Sequence, residues 1–155
     1  MTTATRTVTP HVLALANATT DSGELLDAVR EATRNRPDAR VLVVAPALNG
    51  RIRHWASDDA EAVEAARERL RVSVQLLARD GVEATGMIGD PDPAQALADA
   101  LAVFPADSLV IVTQPEARSN WLAKGLVERV RRSCELEIVH LTRSSNDPAE
   151  HSLAA

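Results

Sequence analysis

Five short apolar runs alternate with four amphipathic helical stretches along this chain, and that alternation restricts the possible fold more than any other feature. The pattern predicts strands at 11–17, 40–45, 82–88, 108–113 and 136–142, and helices at 22–34, 57–79, 93–104 and 119–132. A repeat of this kind makes a parallel sheet with helices on both faces, because each parallel crossover needs a dozen or more residues. Three of the runs, VLALA at 12–16, VLVVA at 41–45 and LVIV at 109–112, are apolar without a break. Strands read this way when both faces are buried, so these three belong inside the sheet. VEATGMI at 82–88 and LEIVHL at 136–141 interleave Glu83, Thr85, Glu137 and His140, as edge strands do. An order of 3-2-1-4-5 puts the three apolar strands inside, whereas 2-1-3-4-5 leaves the apolar second strand at an edge. The expected fold is therefore a single-domain α/β three-layer sandwich with a five-stranded parallel sheet of order 3-2-1-4-5.

Local signals agree with this division. Asp21 with Glu24, Asp58 with Glu61, and Asp92 with Pro93 and Gln95 read as capping boxes that start helices, so these carboxylates are structural. Val63, Ala66, Leu70, Val74 and Leu77 form one apolar stripe on the long helix, which predicts packing against one side of the sheet. Gly89-Asp90-Pro91 reads as a turn. Gly125 falls inside a helix, where glycine costs about 1 kcal/mol relative to alanine, and close helix–sheet packing is the expected reason. Residues 1–9 and 143–155 lack apolar periodicity and read as flexible tails around a domain at 10–142.

Composition removes several classes of function. The net charge is −5 with no basic run and a single lysine, Lys124, among 17 basic residues. An acidic chain with almost no aromatic side chains is poorly suited to nucleic acid, which needs phosphate neutralisation and stacking surfaces. A lone Cys134 excludes an internal disulfide and a multi-cysteine zinc site, and reads as a small apolar residue of a reducing compartment. No apolar run approaches a membrane span and the first ten residues carry no signal-peptide core, so a cytoplasmic location is expected.

If the strands are ordered 3-2-1-4-5, winding reverses between the first and fourth, and a ligand crevice is expected beyond their carboxyl ends. Candidate lining residues are Asn17 after strand one; Ala45, Pro46, Arg51, Arg53, His54 and Trp55 around the end of strand two; and Val112, Gln114, Pro115, Arg118, Ser119, Asn120, Trp121, Lys124 and Gly125 around the turn after strand four. The cluster makes a positive rim on an acidic protein, and Arg118 to Asn120 offer a guanidinium, a hydroxyl and a helix start to a small anion. Trp55 and Trp121 either cover the crevice or supply bulk where loops meet, with packing the favoured reading. His54 has no orienting partner or nucleophile beside it, His11 and His140 fall on strands, and no residue pair has metal-ligand spacing. The turn after strand four contains no glycine, although phosphate is best cradled by amides that no Cβ obstructs.

The alternation, the strand order, the GDPDPAQAL segment at 89–97 and the final strand–turn–helix together resemble the universal stress protein family over residues 10–142. ATP-binding members carry G-x-x-G, nine further residues and G-[S/T] after strand four. Anchored on Gly125, that pattern places Val112 and Pro115 at the first two glycines and Leu126 at the hydroxyl position. Asn17 stands where an Asp contacts nucleotide. The resemblance implies an adenine nucleotide α-hydrolase-like fold, a stress-associated cytoplasmic protein, and a homodimer joined through the fifth strand at 136–142. Val112 adds bulk, Pro115 lacks an amide donor and Leu126 lacks a hydroxyl, so conventional ATP binding is disfavoured. A non-catalytic protein with a degenerate nucleotide site follows, acting as a small-anion sensor or an interaction module. The alternative is a genuine nucleotide binder that grips phosphate with Arg118, Ser119 and Lys124. An enzyme of the related superfamily would need acid–base or metal groups converging on the crevice, where only His54 and Asp21 stand. A phosphoacceptor receiver domain is disfavoured because strand one ends in Ala16-Asn17 without paired acidic residues.

Overall fold

Nine elements follow one another in a computed structural model of the chain: β1 (His11–Leu15), α1 (Ser22–Thr33), β2 (Arg40–Pro46), α2 (Ala56–Arg79), β3 (Glu83–Gly89), α3 (Pro93–Val103), β4 (Ser108–Thr113), α4 (Arg118–Ser133) and β5 (Glu137–Thr142). The structure describes residues 9–16, 22–34, 36, 38–47, 56–113, 118–133 and 136–142, and their side chains except at 22, 56–59, 113, 118–124, 133 and 140–142. The strands form one parallel sheet of order β3-β2-β1-β4-β5, as the apolar runs predict. Val12 pairs with Val41 and Leu13 with both Leu42 and Leu109, so β1 is flanked on each side by apolar strands.

Period-two geometry explains the unbroken apolar runs. Val12, Ala14 and Ala16 point to one face, where Leu25 and Val29 of α1 and Ala66, Leu70 and Leu77 of α2 cover them. Leu13 and Leu15 point to the other, against Leu97 and Ala100 of α3 and Leu126, Val127 and Val130 of α4. The two helices before β3 thus share one face and the two after it share the other. That switch reverses the winding between β1 and β4 and opens the carboxyl ends of these strands. No residue of β3 is fully buried; each is exposed or half-buried, as at a sheet edge.

The stripe on α2 is rotated slightly from its expected centre. Ala62 and Ser73 are buried, at 7% and 3% exposure, while Val63 and Val74 are only half-buried, so the helix approaches the sheet through its smaller residues. Asp58 does not cap this helix. It is the third helical residue, because α2 begins at Ala56. The far end closes in a Schellman motif: Gly81 takes φ 82°, its N–H donates to the carbonyl of Ala78, and the N–H of Val82 donates to that of Leu77. Leu77 and Val82 both pack into the same core, and this glycine stop fixes where β3 starts.

The helix start at α3 is also built differently from a capping box. Asp92 is the N-cap and accepts from the N–H of Ala94 at 3.1 Å, with Pro93 in the first turn. Gln95 does not reach back; it donates to Asp99 at 2.8 Å, and the N–H of Asp92 is satisfied by the Asp90 carboxylate at 2.9 Å. Gly89 is more than a turn residue. A Cβ there would lie 2.6 Å from Cβ of Ala96 and 3.1 Å from Val44, so α3 rests on bare backbone at the end of β3. At the opposite end of the sheet, His11 is a packing histidine, with Nδ1 2.8 Å from the carbonyl of Thr9 and its ring tilted against Phe104.

Candidate functional site

The carboxyl ends of β1, β2 and β4 lie side by side at the switch in winding. The N–H of Ala16 donates to the carbonyl of Val44 at 2.8 Å, which prolongs the β1–β2 ladder by one residue beyond β1. On the other side of β2, Pro46 pairs with Gly89, and the N–H of Ala47 donates to the Gly89 carbonyl. Pro46 has no N–H to give, which suits a residue that ends a strand. The strand ends are therefore held to one another by backbone, and whatever varies in this crevice comes from the loops and from side chains that reach up from the helices.

Of the expected lining residues, Asn17, Arg51, Arg53, His54, Trp55, Gln114 and Pro115 lie outside the described residues. Arg118, Ser119, Asn120, Trp121 and Lys124 are placed on the first two turns of α4 by its backbone. Ala45 is fully buried and Val112 is 1% exposed, both in the core under α1 and α2, so each supports the strand end from below. Val112 also pairs with Leu141 inside the β4–β5 ladder.

Gly125 corrects the sequence expectation. It is exposed, and a Cβ built on it meets nothing within 4 Å, so close helix–sheet packing does not explain it. It is the eighth residue of α4, while its neighbour Leu126 is buried in the core with Leu13 and Leu109. Anchoring the family's glycine pattern on Gly125 therefore carries its first position into β4 and its hydroxyl position into the opposite core. The substitutions at Val112 and Leu126 are core positions in this chain. The feature that stays beyond the strand end is the sequence Gln114-Pro115-Glu116-Ala117 between β4 and α4.

One residue at this end was not foreseen. Arg69, from the middle of α2, extends to the strand ends, where its Nη1 lies 3.4 Å from the carbonyl of Ala16 and 3.4 Å from that of Pro46. It is half-buried, and burial lowers its pKa from the ordinary arginine value. The signal was present in the sequence: Arg69 follows Ala62 and Ala66 and precedes Ser73 on the inward side of the helix, where a charge is out of place. Asp90 and Asp92 stand at the end of β3 but are engaged in the α3 turn. Among the described residues, no three His, Cys, Asp or Glu side chains gather as a metal site would require, and no helix is long and apolar enough to cross a membrane. An open groove of about 240 Å³ also runs between α3 and α4, floored by Leu97 and Val130.

No family model matches the sequence, and no curated protein matches it either. Solved structures do match the fold. A universal stress protein from Archaeoglobus fulgidus superposes with a TM-score of 0.63 at 18% identity, covering 86% of this chain and 98% of that one. The universal stress protein of the same organism in complex with dAMP gives 0.58 at 19% identity, over 86% and 97% of the two chains. A universal stress protein family member from Arabidopsis thaliana with AMP bound gives 0.56 at 14% identity, over 88% and 93%. The five-stranded order and the helix layers of this chain are those of the universal stress protein fold.

Proposed function

We propose that this chain, built on the universal stress protein fold, is a non-catalytic cytoplasmic protein that binds a small anionic ligand at the carboxyl ends of β1, β2 and β4 and serves as a sensor or interaction module in stress response. The observation that carries this reading is the segment between β4 and α4, Gln114-Pro115-Glu116-Ala117. It follows β4, whose carboxyl end lies at the switch in winding where ligands of such sheets bind, and its sequence has no glycine. One of its four residues lacks an N–H and another is a carboxylate. A triphosphate needs several unobstructed amides and no opposing charge, so its usual grip is missing here. Titration calorimetry with ATP and Mg²⁺ tests this directly: affinity weaker than micromolar is expected, and sub-micromolar binding overturns the degenerate site.

A second reading keeps a nucleotide in the crevice but reduces its phosphates to one. It is supported by the matched structures that hold dAMP and AMP, since a monophosphate needs fewer donors than a triphosphate. Arg118, Ser119 and Lys124, on the first two turns of α4, would supply these from side chains. On this reading AMP binds at least as tightly as ATP, and native mass spectrometry of the freshly purified protein shows a retained monophosphate. In either case we propose β5 as the edge that pairs with a second copy; among the described residues its outer side, like that of β3, has no neighbouring strand.

A further inference from the structure

Arg30, Arg36, Arg40, Arg67 and Arg71 each lie within 4 Å of a carboxylate, at the protein surface. Arg69 is different. Among the described residues its hydrogen-bond partners are two backbone carbonyls, and both are 3.4 Å away, where a charge-assisted bond is normally about 2.7–2.9 Å. Both contacts use Nη1. The guanidinium carries five N–H donors, and Nε and Nη2 have no partner among the described residues. No described carboxylate pairs with this half-buried cation, and burying a cation without a counter-charge is costly. A purely structural tie between two strand ends has no need of that charge, since a neutral donor satisfies a carbonyl as well.

We propose that Arg69 forms an anion subsite over the carboxyl ends of β1 and β2, and that it takes the phosphate group of the crevice ligand. This rests on the reading of the crevice as the ligand site, and it moves the phosphate from the β4–α4 turn to the side of the crevice facing α2. The sequence after β4 holds Pro115, which has no N–H, and the carboxylate Glu116, whereas the guanidinium fork at β1–β2 matches the paired oxygens of a phosphate. The small residues Ala62, Ala66 and Ser73 bring α2 close to the sheet, so the arginine stem is held along the core and its head reaches the strand ends.

The test compares AMP with adenosine, which differ only in the phosphate, on the full chain at low salt by calorimetry. Arg69→Met keeps the stem and removes the charge; Arg69→Lys keeps the charge and removes the fork. Arg69→Met is expected to weaken AMP tenfold or more while leaving adenosine within twofold, with Arg69→Lys in between and the wild-type far-ultraviolet dichroism preserved in both. AMP binding within twofold of wild type in Arg69→Met overturns the subsite and leaves the crevice reading standing. Equal loss of AMP and adenosine in that variant overturns it in favour of a strand tie. A wild-type protein that binds neither compound overturns the reading of the crevice as a nucleoside monophosphate site, and the subsite with it.

Discussion

The two strand–turn–helix junctions on one face of the sheet, β3 to α3 and β4 to α4, are built on opposite plans. At the first, side chains tie the turn: Asp90 holds the N–H of Asp92, Asp92 holds that of Ala94, and Gly89 lets Ala96 approach bare backbone. At the second, the helix glycine is exposed with nothing among the described residues within 4 Å of its Cβ position, and the connecting residues 114–117 lie outside the described residues. The carboxylates of β3–α3 are thus used to hold its own turn, and the anion subsite proposed above lies elsewhere, at the ends of β1 and β2.

Gly89 offers the largest test of the closed junction. Gly89→Ala forces a Cβ to 2.6 Å from that of Ala96, well inside contact distance, and should cost about 1–3 kcal/mol as overpacking does. Urea denaturation measures it, and Ala96→Gly in the same chain should return part of the loss beyond additivity. An unchanged midpoint in Gly89→Ala would show that the junction has slack. The next effect is the cap. Asp92→Ala removes the side-chain acceptor of the Ala94 N–H and should lower stability by about 1 kcal/mol, without changing affinity for AMP.

Much of this architecture was legible because burial on two faces writes itself into composition. The uninterrupted runs at 12–16, 41–45 and 109–112 identify the central strands, and the polar residues at Glu83, Thr85 and Glu137 identify the edges. Glycine roles were not legible. Gly89 follows Ile88 and Gly125 follows Lys124, contexts that do not mark their roles, and only three-dimensional distance shows that one touches a neighbour and the other meets none among the described residues. Arg69 escapes notice for a related reason: the stripe Val63, Ala66, Leu70, Val74 and Leu77 leaves it outside, whereas burial of Ala62 and Ser73 in place of Val63 and Val74 turns the inward side toward it. Centring the helix on its small residues puts Arg69 on the buried side.

Gly125→Ala separates the two junctions further. Its Cβ meets open space, and the substitution removes a helix-interior glycine, so stability should rise by about 0.5–1 kcal/mol. With the phosphate held by Arg69 over β1 and β2, AMP affinity should stay within twofold of wild type. A stabilised protein that loses AMP tenfold would put the phosphate on α4 instead, and would reassign the open junction as the grip.

The smallest expected effect contrasts two arginines of the α1–α2 layer. Arg30 makes a bidentate pair with Asp80 across the end of α2, with Nε 2.8 Å from one carboxylate oxygen. The Arg30 guanidinium, chiefly through that hydrogen bond, holds the Asp80 carboxyl below its ordinary pKa, and Asp80 raises that of Arg30. Arg69 is shifted the other way by burial alone. Because Asp80 is depressed in the folded state, its contribution is fully present above the unfolded carboxylate value of about 4 and is lost as pH falls through the lower folded value. The pair is exposed and salt-screened, so the effect at neutral pH is slight. Thermal midpoints of wild type and Asp80→Asn, followed from pH 7 to pH 2, should therefore keep a small constant gap down to about pH 5 and converge below about pH 4. AMP binding should be the same in both proteins throughout the neutral range. A gap that instead widens below pH 4 would mean that the ion pair does not favour the folded state. Any loss of AMP in Asp80→Asn would mean that arginines of this layer act on the crevice as a group, and not through Arg69.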